Sequence, residues 1–532
     1  MGSAGSDDRS FSRSARGAWA VLALALLLFA GSYSYLAPVG TWKNRIFDQG
    51  TWFEHDPAGA YVDAAHQLSW GESPLFAGHP GTTLLVLLKL VQYAYYTAAA
   101  EPGYSFTQFT ARNLPTVFLL SKLMMTVLHL LSFFLVFVVA RALLRSERAA
   151  FFASLGYATS LPVLYYLSRI SVEPLMVSLF LLSFLAIWKW QDLAAAQRAR
   201  PALGLAGLAG ALAVSGAVTK LNFLGPLPFF LALYLLLGSR REDGPDAIRF
   251  SERVRAFVVF CMSGTVLAVL YSQVIGWQTF FALWRIFAAT EPGNGWSMRV
   301  LLPGATPEGA LVLCELAFVA MAAAGWVALM LRDSERRSRA LWLSAFGVWG
   351  LLMFAYRVQL KGTLVPFHYF FLVNVVAAVF FGHFTELLWR RIPVRSEGWR
   401  GVVFGLVWVA LVHGISVWVV VDSRQFDART YSPNRAVHAA IAQLRPDQRL
   451  GCIGCTRLKA LDFNLHKLHA IGRHSLPIMQ RDRISRLENE FSSFFIPVHP
   501  RQVAGTLPRV YVPALKKKIV IVDRPDLQPG RE

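Results

Sequence analysis

Apolar residues arrive along the chain in long unbroken runs separated by short polar stretches. Runs of spanning length occur at 17–37, 114–140, 149–167, 172–188, 203–219, 222–238, 256–275, 309–331, 340–356, 366–389 and 401–421. Each approaches the roughly 20 residues a helix needs to cross about 30 Å of hydrocarbon. Inside a bilayer every backbone amide must be paired without water, so runs of this kind predict helices. The pattern therefore predicts an all-α polytopic membrane bundle of about eleven transmembrane helices. The first run, with Arg13 and Arg16 before it, has the flank of a signal peptide, but the stretch 33–36 extends it to spanning length, so it reads as a retained helix.

The polar stretches give an orientation. The connections at 141–148, 189–200, 240–255, 332–339 and 390–400 are strongly basic, and basic short loops stay in the cytoplasm. The stretches at 38–113, 168–171, around Lys220 and Asn222, 276–309 and 356–366 carry sparse or balanced charge and are expected outside. Residues 1–16 then form a cytoplasmic tail, 17–421 the transmembrane module, and 422–532 an extracytoplasmic domain. A further apolar run at 82–99, within the first outer loop 38–113, would invert every later loop if it crossed. It reads as a juxtamembrane or re-entrant helix at the outer surface.

Beyond 422 the apolar runs shorten and charges become frequent. A helix-like stretch at 436–444 and strand-like stretches at 450–453 and 518–522 predict a small mixed α/β soluble domain. Cys452 and Cys455 form a C-x-x-C pair there without the second half of a zinc site, leaving a local disulfide or two free thiols open.

Composition strengthens the membrane reading: 55% of the 532 residues are hydrophobic and only 16% charged, where soluble domains average about a quarter charged. The formal net charge of +20 resides largely in the short loops, so it marks topology rather than a nucleic-acid partner. No internal repeat is apparent and the spans look nearly free of charge, unlike a typical transporter.

Ionisable residues gather instead at the outer mouths of the helices. The first loop carries Trp42-Lys-Asn-Arg-Ile-Phe-Asp48 and Phe53-Glu54-His-Asp56-Pro-Ala-Gly-Ala-Tyr61. From Tyr61, residues Ala64, Ala65 and Leu68 recur at helical spacing until Gly71, so a short amphipathic helix starts just after Asp56. This order, followed by His79-Pro80-Gly81 and the apolar 82–99 run, resembles the first outer loop of the GT-C glycosyltransferases, which include protein O-mannosyltransferases and lipid A aminoarabinose transferases. Three later stretches extend the resemblance over roughly 17–421. Ser168-Arg169-Ile-Ser-Val-Glu173-Pro174 is similar to the family's acidic opening of the fourth helix. The segment 207–220, ending Ala217-Val-Thr-Lys220, is similar to its Gly-rich, Thr-Lys helix pair. The stretches 357–361 and Phe367-His368-Tyr369-Phe370 are similar to the sequence before a late helix.

The resemblance implies transfer of a sugar from a polyprenyl-phosphate donor, which needs a base for the acceptor hydroxyl and positive charge for the leaving phosphate. It assigns the catalytic carboxylate to Asp56, whose alternative role is to cap the short helix. Glu173 is a second catalytic carboxylate or a helix-dipole residue. Asp48, Glu54, Tyr61, His79, Arg169, Lys220, Arg357, Lys361, His368 and Tyr369 are expected to bind substrate, the cations by facing phosphate or by reaching lipid headgroups. His66, His79, His368 and Tyr369 are the candidates for a divalent metal, although a lone histidine beside an aromatic is more often structural.

The expected activity is a hexosyl or pentosyl transfer to an envelope lipid, glycan or protein at the outer face of a bacterial-type inner membrane. A multi-spanning transporter or lipid flippase, and a non-catalytic envelope assembly protein, are the competing readings. Topology is the first thing to test. In intact spheroplasts a membrane-impermeant thiol reagent, added after mild reduction, should label Cys452 or Cys455. Labelling that requires lysis would invert the assignment.

Overall fold

A computed structural model describes chiefly residues 81–100, 113–160, 170–220, 225–235, 248–277, 307–332, 337–361 and 370–391. It also describes isolated positions within 61–68, 102–110, 162–163 and 280–281, and three strands after 447. The helices are α1 (Thr82–Ala99), α2 (Leu114–Leu144), α3 (Glu147–Ala158), α4 (Glu173–Ala195), α5 (Ala199–Thr219), α6 (Pro226–Leu235), α7 (Phe250–Ile275), α8 (Pro307–Arg332), α9 (Arg337–Lys361) and α10 (Phe371–Arg391). They lie over every predicted span from 114–140 to 366–389. The outermost two, 17–37 and 401–421, fall outside the described residues.

Among the described residues, five helices are long and apolar enough to cross a membrane: Leu119–Leu144, Glu173–Ala195, Arg200–Thr219, Phe250–Ile275 and Phe371–Arg391. Burial divides them into central and peripheral. In α10, 83% of the apolar window is buried inside the protein, against 22% in α7. Val258, Met262, Val266 and Leu270 of α7 are exposed apolar side chains, as expected of a helix face turned to lipid. The chain is a multi-pass membrane protein.

Local sequence explains the tight connections. Arg145 closes α2 in the left-handed region at φ 53°. Ser146 then caps α3 by accepting a hydrogen bond from the Ala149 amide at 3.2 Å. Glu147, in the first turn where the helix dipole favours an acid, pairs with Arg141 at 3.0 Å. Charges at the ends of these helices therefore belong to the helices themselves, and the polar connection is shorter than the basic stretch 141–148 suggested.

Close helix contacts rest on small residues. A Cβ on Gly210 of α5 would stand 2.1 Å from the Phe260 carbonyl of α7, and Ser263 donates to the Gly207 carbonyl at 2.7 Å. Gly382 lets α10 meet α3 in the same way, 2.3 Å from the Ala149 carbonyl. In lipid such contacts replace the hydrophobic drive, because hydrocarbon is no worse a solvent for Leu than another helix. Elsewhere aromatic rings do the joining: Trp349 of α9 stacks on Phe180 of α4 at 4.8 Å and on Phe229 of α6 at 5.0 Å.

The helix α1 covers the predicted 82–99 run, and it packs on α5 and α2. In the tail the strands Gln448–Cys452 (β1), Arg509–Val512 (β2) and Lys517–Asp523 (β3) pair antiparallel in the order β1-β3-β2, with Leu450 opposite Ile521 and Val510 opposite Ile519. Of these, β2 has no counterpart in the sequence reading, because Arg-Val-Tyr-Val is short and has no clear alternation. The predicted helix at 436–444 lies outside the described residues.

Packing at Gly210 yields a direct test. Gly210→Leu should destabilise the purified protein by about 1–3 kcal/mol or block assembly, through overpacking against α7. Gly204→Leu should be near neutral, since nothing lies within 4 Å of its added Cβ. Thermal unfolding in detergent compares the two.

Candidate active site

The helices α4 and α5 form an antiparallel hairpin with arms of nearly equal length, turning at 196–198. Equal arms bring the first residue of α4 beside the residue that ends α5. Glu173 opens α4, followed by Pro174, whose missing amide is harmless in a first turn. Lys220 closes α5, its backbone amide bonding to the Gly216 carbonyl at 3.0 Å. Each charge thus sits at the helix end whose dipole favours it.

The two side chains form a direct ion pair, Lys220 Nζ to Glu173 Oε1, and both residues are buried. A buried pair must recover a desolvation penalty of several kcal/mol per ion, so removing one partner is far more damaging than removing both. The second carboxylate oxygen, Glu173 Oε2, has no hydrogen-bond partner among the described residues, and neither does the Ser171 hydroxyl nor that of Tyr157. Tyr157, fully buried at the end of α3, lies within Coulombic range of Glu173. The ion pair thus keeps one unmatched carboxylate oxygen of its own, with the unmatched Tyr157 hydroxyl in its vicinity and that of Ser171 two residues before Glu173 in the chain.

The surroundings hold these helix ends rigidly. The Pro174 carbonyl accepts from Ser178 Oγ at 2.8 Å, and Ser132 Oγ of α2 lies 2.9 Å from both. The last turn of α5 is bonded by Thr219 Oγ1 to the Ser215 carbonyl at 2.6 Å. That carbonyl also accepts from Thr83 Oγ1 of α1 at 3.0 Å, and Thr83 lies 3.1 Å from the Tyr271 hydroxyl of α7.

Part of the first loop docks against the same end. The Tyr61 ring closes on Gly81, where an added Cβ would meet Tyr61 at 2.8 Å and Val172, the neighbour of Glu173, at 3.5 Å. Gln92 of α1 donates to the Val62 carbonyl at 2.9 Å, and Lys89 Nζ to the His66 carbonyl at 2.6 Å. His66 stacks on Phe106 at 4.8 Å, and Lys89 lies 4.5 Å over the same ring. Partial burial lowers the Lys89 ammonium from its usual range.

Of the residues expected to act, the structure brings together Tyr61, Glu173 and Lys220. Lys220 meets a carboxylate there, not open solvent. Arg357 and Lys361 fall in the last turns of α9. Asp48, Glu54, Asp56, His79, Arg169, His368 and Tyr369 lie outside the described residues. Tyr157 was absent from the sequence reading, since an isolated Tyr in an apolar run carries no periodic signal, and Ser171 entered it only as part of the 168–174 stretch, with no role of its own. His66 engages through its ring face and its carbonyl, and no cluster of three metal-ligating side chains occurs among the described residues.

No protein family model and no curated protein matches the chain. Solved structures do. ArnT from Cupriavidus metallidurans, bound to undecaprenyl phosphate, is similar at 14% identity and a TM-score of 0.49, over 94% of this chain and 97% of that one. The oligosaccharyltransferase AglB from Archaeoglobus fulgidus, in complex with an inhibitory peptide and a dolichol-phosphate, is similar at 14% identity and a TM-score of 0.45. That match covers 78% of this chain, which spans 58% of the archaeal enzyme. The apo form of the oligosaccharyltransferase from the same organism gives 16% identity and a TM-score of 0.46, over 81% and 58% of the two chains.

The ion pair can be tested through stability alone. Lys220→Met should remove about 3–5 kcal/mol by stranding a buried carboxylate, and adding Glu173→Gln should restore most of it. A double-mutant cycle from thermal unfolding measures the coupling.

Proposed function

We propose that this protein is a membrane glycosyltransferase that moves a sugar from a polyprenyl-phosphate donor to an envelope lipid, glycan or protein acceptor at the outer membrane face. One observation carries the proposal. The loop whose sequence resembles the GT-C first outer loop docks, through Tyr61, beside a buried ion pair whose two residues belong to the other stretches of that resemblance.

The roles follow from chemistry. The acceptor oxygen attacks the anomeric carbon as the bond to the donor phosphate breaks, inverting the centre, and polyprenyl phosphate departs. Asp56, five residues before Tyr61, takes the hydroxyl proton. Lys220 supplies positive charge near the leaving phosphate, and Glu173 aims that ammonium. On this reading Glu173 is a positioning residue rather than a second base. Arg357 and Lys361 are further candidates for the phosphate, with Asp48, Glu54, His79, Arg169, His368 and Tyr369 around the sugar and acceptor. About eleven spans, a cytoplasmic N-terminus and an extracytoplasmic C-terminal domain belong to the same proposal.

The test separates chemistry from folding. Asp56→Asn keeps size and capping ability but cannot accept the proton, so transfer from a polyprenyl-phosphate sugar should fall by about two to four orders of magnitude with the melting temperature unchanged. Near-normal transfer in Asp56→Asn with collapse in Asp48→Asn or Glu54→Gln would shift the base to that neighbour. Near-normal transfer in all three would sink the mechanism.

A further inference from the structure

Three helix ends meet at one corner of the protein. Glu147 in the first turn of α3 pairs with Arg141 in the last turn of α2 at 3.0 Å. Arg148 of α3 lies 5.6 Å over the ring of Trp389 near the end of α10, and that ring stands 5.7 Å from Phe152. Along α4, Phe180 and Phe184 pass Trp349 and Phe346 of α9, while along α10 Val376 and Phe380 pass Gly350 and Phe346. The helices α4 and α10 therefore run in one direction. The corner at the end of α10 lies about 33 Å of helix rise away from Glu173, which opens α4.

The corner is strongly basic. Arg141, Arg145, Arg148, Arg390 and Arg391 are all exposed there, against two acids on these helix ends, Glu147 and Glu386. Glu386 is buried and holds Arg390 at 2.7 Å, as Glu147 holds Arg141. Arg145 and Arg391 pair with no carboxylate among the described residues. A loop that only marks topology needs positive charge in the right compartment and no particular geometry. Here the charges come from three helices to one place, two of them oriented by carboxylates and a third by an indole ring.

The surface leading to the corner is apolar. Leu123, Val127, Leu131 and Phe134 of α2 are exposed, and their spacing of three or four residues sets them in one stripe. Arg141 follows Leu123 by about five full turns and so lies on that stripe. Leu131 and Phe134 stand within about 15 Å of it along the axis, the depth of one leaflet.

We propose that this corner binds an anionic phospholipid of the leaflet that the ends of α2 and α10 face, the cytoplasmic leaflet in the orientation with a cytoplasmic N-terminus. A guanidinium suits a phosphate diester because its planar fork donates two parallel hydrogen bonds to the oxygens. The stripe on α2 takes an acyl chain at the depth where that chain must lie, so one continuous surface meets headgroup and tail. Basic pockets between helices on this side of a membrane hold acidic headgroups by the same chemistry. Free phosphate uses only half of the surface, and a zwitterionic lipid brings its own ammonium against the arginines. Nothing in this proposal depends on the glycosyltransferase reading.

Short-chain phosphatidylglycerol, phosphatidylcholine with the same chains, and inorganic phosphate are the probes, titrated against the full chain in detergent by native mass spectrometry. Phosphatidylglycerol should bind about tenfold more tightly than phosphatidylcholine, and inorganic phosphate should not bind at the same concentrations. Replacing Arg145 and Arg391 together by Gln should weaken phosphatidylglycerol by about tenfold and leave the lipid-free melting temperature unchanged. The control is Arg198→Gln with Arg200→Gln, two exposed arginines at the α4–α5 turn, which lies as far past Phe184 as Arg391 lies past Phe380. That pair removes the same charge from the same end and should leave phosphatidylglycerol binding intact. Equal loss in the two double variants means a diffuse charge effect and overturns the site, as does full affinity in the Arg145 and Arg391 variant or equal binding of the two lipids. Inorganic phosphate bound as tightly as the lipid overturns the lipid assignment. Should the glutamine pair fail to assemble, Arg145→Lys with Arg391→Lys keeps the charge but not the fork. It should still weaken phosphatidylglycerol by about threefold, and undiminished affinity there also overturns the site.

Discussion

Two opposite charges held out of water set a constraint on which the described part of the site depends. Once Glu173 and Lys220 are buried, neither can move far from the other, because each alone would face a low-dielectric interior without compensation. That requirement fixes the register of the α4–α5 hairpin at its open end. It also explains why so many hydrogen bonds converge on the backbone there. The Pro174 and Ser215 carbonyls are each drawn toward a neighbouring helix by a hydroxyl.

Rigidity at this point depends on packing further down. The α4–α5 hairpin is clamped by α2 on one side and by α7 on the other, and the α7 contact is tight only because Gly207 and Gly210 present no side chain. On the opposite flank α10 is enclosed by α3 and α8, with Gly382 and aromatic rings filling the space. The polar groups at the end of the bundle are thus carried by helices whose positions are set by backbone contact, which leaves little slack for side chains to collapse onto one another.

Much of this was legible in the sequence for a physical reason. Runs long enough to cross hydrocarbon announce helices directly, and the helices cover 114–140, 172–188 and 366–389 within a few residues of the pattern. The helix at 82–99 matched to the residue because Pro80-Gly81 starts it sharply and the small polar stretch after Ala99 ends it. Glu173 and Lys220 were visible as charges at helix ends, but their pairing was not. It follows only from counting equal arms on either side of a short turn, a feature of three-dimensional closure rather than of periodicity. Tyr157 carries no local signal at all, because its place near Glu173 comes from how α3 packs and no sequence pattern encodes that.

The exposed helix α7 has a mechanical consequence. With 26 residues it is about 39 Å long, whereas the hydrocarbon it faces is about 30 Å thick. A helix that long must lean or let its ends emerge. Because it meets α5 backbone to backbone at Gly210 and touches α1 through Tyr271, it cannot lean by itself. Whatever inclination the bilayer sets for α7 is an inclination of α5 and of the foot of α1 as well, so the lipid surroundings form part of the scaffold that aims Lys220.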